Sequence, residues 1–159
     1  MISDFPQSVY ARVIRRYSAA PEELFAAWLD PEIISTWMFW TAVRDEEVVR
    51  IWVEARPGGS FSFAVRRQGE ELDHFGEYLE LDPPRRLVFT WGVRQASPTL
   101  SRVSVDIVPL EAGSSLILTH ELHPDWADFA GFTKLAWAKM LAALARTLNE
   151  ANSAIAMGS

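Results

Sequence analysis

Hydrophobic and polar residues alternate through four stretches of this sequence, which is the pattern of β-strands with one buried face. The first stretch is residues 9–17, and three longer ones follow at 48–67, 71–93 and 100–122. Turn residues, such as the Pro-Gly-Gly at 57–59, divide each longer stretch into two halves. The pattern therefore predicts seven strands, of which the last six form three consecutive hairpins in an antiparallel meander.

A helical spacing of apolar residues replaces this alternation at both ends of the meander. Residues 18–29 contain a Pro-Glu-Glu that favours a helix start, and the Asp-Pro at 30–31 ends this helix and opens a second short one. Residues 131–149 contain no proline and place Trp137 on one stripe with leucines, which predicts a long C-terminal helix. Only this helix is large enough to cover the apolar face of the sheet. We therefore predict an α+β fold, with the short helices closing one end of the space between helix and sheet.

The composition fits one domain and argues against several classes of partner. The 159 residues are 49% hydrophobic, so we expect a single domain over residues 1–152 with a frayed tail at 153–159. The net charge of −6, without a basic cluster, argues against nucleic acid. There is no cysteine, and the three histidines lack a metal-ligand spacing. We therefore expect no thiolate chemistry, no metal and no other cofactor.

Nothing in the sequence indicates export or a membrane span. The first residues lack a basic leader followed by an apolar segment, and no uncharged apolar run reaches the roughly 18 residues that a span requires. We therefore expect a cytoplasmic protein that does not insert into membranes, either a monomer or a homodimer.

The segment WLDPEIISTWMFW at residues 28–40 is rich in aromatic side chains. Its helical spacing with the preceding apolar residues assigns Trp28 to the core. The four large residues at 37–40, which include Trp37 and Trp40, cannot all face inward from one helical turn, because successive side chains are rotated apart. We expect at least one of them to be partly exposed or to line an opening, as part of a recognition surface.

Among the polar residues near the strands, His120 has the clearest chemical interest. It shares a strand face with two leucines, so it is either a buried histidine with one hydrogen bond or a polar contact inside an apolar pocket. We expect His74 and His123 to face solvent. Glu77 and Glu80 could face either the interior or solvent. No second acid–base partner can be identified, so no catalytic residue is assigned.

Five stretches resemble one protein family in their order and spacing. They are RRYSAAPEELFAAWLDPEIISTW at 15–37, EARPGGSFSF at 54–63, GEYLELDPPRRLVFTWG at 76–92, GSSLILTHEL at 113–122 and GFTKLAWAKMLAAL at 131–144. The sequence resembles the activator of heat shock protein 90 ATPase homologue-like family, within the START-like, or SRPBCC (Bet v 1-like), superfamily. The resemblance implies the helix-grip fold, in which a curved antiparallel sheet of about seven strands grips a long C-terminal helix around a deep hydrophobic cavity.

The sequence departs from the family pattern at two places. Phe132 stands where the family often has tryptophan, and residues 38–48 replace the Gly-Pro-containing loop that usually follows the Trp37 position. Because ligand preference is expected to vary in that loop, the resemblance transfers no particular ligand. The superfamily includes proteins that bind lipids, hormones or polyketides, as well as cyclases, hydrolases and co-chaperones.

The favoured interpretation is a binding protein for a hydrophobic or amphipathic small molecule, held between the sheet and the C-terminal helix. Its mouth is expected near residues 37–40 and 126–129. One alternative, which we favour less, is a co-chaperone-like module that stimulates a heat-shock chaperone ATPase. The other is an enzyme of the cyclase or hydrolase kind that uses the same cavity. The predicted ligand-binding residues are Trp37, Trp40, Phe61, Phe63, Tyr78, Phe89, Trp91, Val105, Leu118, His120, Trp126, Phe129, Trp137, Leu141 and Leu144.

Overall fold

A curved antiparallel sheet of seven strands packs against a long C-terminal helix. The computed structural model describes residues 9–39, 47–94 and 100–158, with side chains up to residue 149. In chain order the elements are β1 (Val9–Tyr17), α1 (Pro21–Ala26), α2 (Pro31–Trp37), β2 (Glu47–Val53), β3 (Ser60–Arg67), β4 (Glu70–Asp82), β5 (Arg86–Val93), β6 (Ser101–Pro109), β7 (Ser114–Leu122), a 3₁₀ helix (Pro124–Phe129) and α3 (Ala130–Gly158). The predicted fold class and element order are confirmed. Within the ranges given above, no helix is both long and apolar enough to cross a bilayer.

The strands from β2 to β7 pair with their sequence neighbours, and β1 joins the sheet beside β7. The register shifts between Val48 and Arg50 of β2, and again between Tyr78 and Glu80 of β4. Such bulges bend a strand and increase its twist, which helps the sheet to curve toward α3.

Local contacts fix the ends of several elements. α1 and α2 each begin at a proline, and Asp30 caps α2 by accepting a hydrogen bond from the Glu32 amide at 2.9 Å. In the turn between β6 and β7, Gly113 has a φ of +96°, and a Cβ there would lie 2.0 Å from the Tyr17 carbonyl oxygen. Glycine is therefore required at this turn. The Tyr17 hydroxyl donates to the Leu141 carbonyl at 2.9 Å, which ties β1 to α3.

Aromatic side chains pack against one another between the sheet and α3. Trp28 packs edge-on against Trp37 with ring centroids 4.7 Å apart, and its ring lies 6.0 Å from that of Trp137 on α3. On the sheet side, the rings of Phe61 and Phe63 lie 4.7 Å apart. All five side chains are at most 3% exposed. The interior is therefore a packed aromatic cluster.

The expectation that His74 faces solvent is wrong. Its side chain is 4% exposed and lies between the rings of Phe39 and Trp91, at centroid distances of 4.9 and 5.4 Å. The alternation of strand residues explains this position, because His74 and Tyr78 lie on the same inward face of β4.

The glutamates of β4 that the sequence left open both face solvent. Glu77 is exposed, and Glu80 is exposed and accepts a hydrogen bond from Arg86 Nε at 2.8 Å. Arg86 also donates to Asp106 at 2.7 Å, and these two carboxylates raise its pKa. This ion-pair network lies on the outer face of the sheet and contributes no carboxylate to the interior.

Candidate ligand pocket

A cavity of about 230 Å³ opens where the ends of three strands meet the first turns of α3. The end of β5 contributes Trp91, the start of β6 contributes Ser101, and the end of β7 contributes His120. Antiparallel pairing brings these ends together, because Trp91 pairs with Ser101 while Val103 of β6 pairs with His120. The 3₁₀ helix and Thr133 of α3 form the other side.

Aromatic side chains form much of the apolar wall. Trp126 and Phe129 come from the 3₁₀ helix, with ring centroids 5.7 Å apart, and Phe132 follows in α3. These three side chains are 37%, 54% and 75% exposed, so they form an apolar surface at the mouth. His123 positions the 3₁₀ helix, because its Nδ1 accepts a hydrogen bond from the Asp125 amide at 3.1 Å.

His120 is the most buried polar side chain of the described lining, and both of its ring nitrogens are hydrogen-bonded. The indole Nε1–H of Trp137 donates to Nδ1 at 3.0 Å, and Nε2 lies 2.6 Å from the Ser101 hydroxyl oxygen. The side chain is 4% exposed, and burial lowers its pKa from 6.5 to about 4. His120 is therefore neutral near pH 7 and provides a fixed polar point in an apolar cavity.

The described lining is suited to apolar contact and hydrogen bonding. No carboxylate is among the lining residues that the structure describes. Among all residues that the structure describes, no group of three His, Cys, Asp or Glu side chains is placed to hold a metal ion.

The sequence model of the Activator of Hsp90 ATPase homolog 1-like protein family matches residues 18–149. The chain belongs to this family. A search of curated proteins finds no match.

Solved structures show the same fold as this family member. Protein CV1439 from Chromobacterium violaceum is 24% identical with a TM-score of 0.72, covering 86% of this chain and 94% of its own. An AHSA1-like protein from Aeromonas hydrophila is 18% identical with a TM-score of 0.72, covering 91% and 94%. SA2116 from Staphylococcus aureus, a protein of unknown function, is 15% identical with a TM-score of 0.78, covering 92% and 97%. At these identities the likeness establishes the START/Bet v 1-like fold alone.

Four of the predicted binding residues line the cavity of this family member, namely Trp91, His120, Trp126 and Phe129. The others that the structure describes do not line it and are buried in the core. They are Trp37, Phe61, Phe63, Tyr78, Phe89, Val105, Leu118, Trp137, Leu141 and Leu144. Trp40 lies outside the described residues.

The segment at 37–40 was expected at the mouth, but its described part lies in the core. Trp37 is fully buried, and its indole N–H donates to the Ala27 carbonyl at 3.1 Å. Met38 and Phe39 are at most 1% exposed. The sheet and the other helices enclose the end of α2, so side chains that leave it in different directions all meet protein. Phe39, for example, packs against Phe63 at a centroid distance of 5.8 Å.

A second space of about 10 Å³ lies inside the aromatic cluster, bordered by side chains that include Trp28, Tyr78 and Phe89. This is about the volume that a single water needs, so this space has no room for a larger ligand. The indole N–H of Trp28 is buried here, and it has no acceptor among the described residues.

Sequence reasoning did not identify Ser101, Phe132 and Thr133 as lining residues. Ser101 could have been predicted from its pairing with Trp91, but the alternation of residues does not determine the register between β5 and β6. Phe132 stood out only as a departure from the family pattern. Thr133 carries no signal of its own, because its role depends on how α3 meets the strand ends.

Proposed function

We propose that the protein binds a compact hydrophobic or amphipathic small molecule in the cavity at the ends of β5, β6 and β7. The observation that carries this proposal is an aromatic wall combined with one buried, oriented polar group, since small-molecule sites commonly gain affinity from the first and orientation from the second. The volume of about 230 Å³ suits a compound of one or two rings. It also suits one end of a lipid or polyketide that continues across the exposed Phe129 and Phe132.

Two features favour binding over catalysis. The indole N–H of Trp137 donates to His120 Nδ1, which leaves the proton of the neutral ring on Nε2, so the ring cannot accept a proton from the Ser101 hydroxyl. His123, the other ionisable group of the described lining, uses its Nδ1 to cap the 3₁₀ helix. A co-chaperone role has only the family name in its support, and we do not propose it.

Titration of isotope-labelled protein with naphthalene, followed by nuclear magnetic resonance, tests the proposal. We expect the indole N–H signals of Trp91 and Trp126 to shift in a saturable way, because both side chains line the cavity. Trp52 on β2 is 45% exposed and does not line the cavity, so its signal should not move. Equal or unsaturable shifts at all three would indicate non-specific association and contradict the proposal.

A pair of neighbouring substitutions provides the matched control. Thr133→Trp places a large side chain at the cavity, and we expect it to abolish saturable binding of naphthalene. Lys134→Trp adds the same side chain one residue later, at an exposed position outside the lining, and should bind as the parent does. If both variants bind equally well, the ligand lies elsewhere. Native mass spectrometry of freshly purified protein would then show whether a different molecule is carried.

A further inference from the structure

The hydrogen bonds around His120 determine which ring nitrogen carries its proton. The indole nitrogen of Trp137 can only donate, and it lies 3.0 Å from His120 Nδ1. Nδ1 must therefore be the unprotonated acceptor, and the single proton of the neutral ring lies on Nε2. The opposite tautomer and the charged ring are both disfavoured, because each would direct an N–H of His120 at the N–H of Trp137.

The same reasoning fixes the direction of the next two hydrogen bonds. His120 Nε2–H donates to Ser101 Oγ at 2.6 Å, so the serine proton must point to another acceptor. The Trp91 carbonyl oxygen lies 3.0 Å from Ser101 Oγ and accepts that proton. Each group thus donates its hydrogen bond in the same direction, from Trp137 through His120 and Ser101 to the carbonyl oxygen of Trp91.

In this chain of hydrogen bonds the Ser101 proton is held by the Trp91 carbonyl, so donating it to a ligand would break that bond. A hydroxyl oxygen has two lone pairs, and His120 occupies one of them, so the remaining lone pair can only accept. Ser101 is half-buried and lines the cavity, where a ligand can reach this lone pair. A carboxylate placed there would meet a second acceptor beside a neutral histidine, which is unfavourable.

On the basis of the proposed function, we propose that the cavity selects neutral amphipathic ligands whose polar end donates a hydrogen bond, such as an alcohol or phenol hydroxyl, to Ser101 Oγ. Thr133 does not oppose this selection, because a threonine hydroxyl can rotate to donate or to accept. His123 is exposed, so water can satisfy its polar atoms in either case.

Calorimetric titration with matched probes tests the selectivity. The probes are naphthol, its methyl ether and naphthoate, which share one ring system and differ in the polar group. The ratio of naphthol affinity to ether affinity should be about five- to tenfold higher in the parent protein than in Ser101→Ala, the usual effect of one hydrogen bond. Comparing the two proteins cancels the difference in hydrophobicity between the probes. Naphthoate should bind most weakly to the parent protein.

The possible outcomes separate this inference from the proposed function. If the probes bind but the ratio is unchanged in Ser101→Ala, or if naphthoate binds most tightly to the parent, the selectivity is refuted and the binding function stands. If neither naphthalene nor any of the three probes binds, the binding function itself fails for this class, and the inference fails with it.

The tautomer provides a second test, which is read in the parent protein and needs no binding measurement on Ser101→Ala. Long-range proton–nitrogen correlation spectra of the parent protein near pH 7 should show His120 with its proton on Nε2, the signal being assigned by its loss in His120→Asn. A proton on Nδ1 would overturn the inference, because Ser101 could then donate to the ring or to a ligand.

Discussion

Three buried tryptophans allow the value of an indole hydrogen bond to be measured in one core. Trp28, Trp37 and Trp137 are each at most 3% exposed, and they differ in the partner of the indole N–H. Trp37 donates to the Ala27 carbonyl, and Trp137 donates to His120 Nδ1. Trp28 has no acceptor among the described residues. Replacement of each by phenylalanine removes the same atoms from a packed interior.

The structure predicts that Trp28→Phe is the mildest of the three substitutions. All three lose apolar contact and leave a cavity of similar size, so these losses largely cancel in a comparison. Trp137→Phe also leaves the buried Nδ1 of His120 without its donor, which costs about 1–3 kcal/mol. Trp28→Phe removes a buried donor that has no protein acceptor, which offsets part of its packing loss. We therefore expect Trp137→Phe to be the more destabilising by at least about 2 kcal/mol.

Urea unfolding followed by far-ultraviolet circular dichroism measures these differences without relying on tryptophan fluorescence, which each variant changes. The three variants should unfold with similar dependence on urea, so that midpoints report the free energy of unfolding. Trp37→Phe, which also loses a hydrogen bond, should resemble Trp137→Phe. If Trp28→Phe is as destabilising as the other two, ring packing rather than hydrogen bonding dominates, and the reasoning is refuted.

Two further predictions concern pH and a turn. Because the pKa of His120 is lowered from 6.5 to about 4, the unfolded chain takes up its proton first as pH falls. The free energy of unfolding should therefore fall by about 3 kcal/mol between pH 6.5 and about pH 4, measured by urea titrations. The control is His120→Asn, which keeps an acceptor for the indole N–H of Trp137 and should lack this pH-dependent loss. If the free energy of unfolding depends on pH in the same way in the parent protein and in His120→Asn, the prediction is wrong. Gly113→Ala should destabilise the fold far more than Gly69→Ala, although both glycines have a positive φ. A Cβ at Gly113 would lie 2.0 Å from the Tyr17 carbonyl oxygen, whereas a Cβ at Gly69 would have no atom within 4 Å. Gly69→Ala should lower the free energy of unfolding by about 1–2 kcal/mol. If thermal unfolding shows equal losses of stability in the two variants, the structure relieves the close contact at residue 113 and the prediction is wrong.

The elements of the fold were predictable because their signals are local. The hairpins follow from an alternation that continues over whole strands, and the start of α2 follows from Asp30 and Pro31, which cap and open it in the structure. The order of the elements then leaves few ways to cover one sheet with one helix. The resemblance of five stretches to one family supplied the same answer independently.

The site was only partly predictable because it depends on side-chain contacts between distant segments. The alternation placed Phe61, Phe63 and Phe89 on one face of the sheet, and the family resemblance implied a deep cavity between that face and the helix. The rings of Phe61 and Phe89 instead meet each other at a centroid distance of 5.6 Å, and Trp28 adds to the same cluster. Whether aromatic side chains surround a space or fill it depends on their rotamers and on the register of the sheet, which a periodic pattern does not specify.

The packed interior explains why the candidate pocket lies at the end of the sheet. The ring of Trp137 packs between those of Trp28 and Trp91, at centroid distances of 6.0 and 5.6 Å, and thereby occupies space between α3 and the sheet. The cavity of about 230 Å³ lies beside this ring, toward the first turns of that helix, where the described strand ends and the 3₁₀ helix meet. Trp137 therefore belongs to the core, while its N–H orients His120, which lines the pocket. A core substitution that moves this ring should also turn His120, so under the proposed function a change in stability should be accompanied by a change in ligand preference.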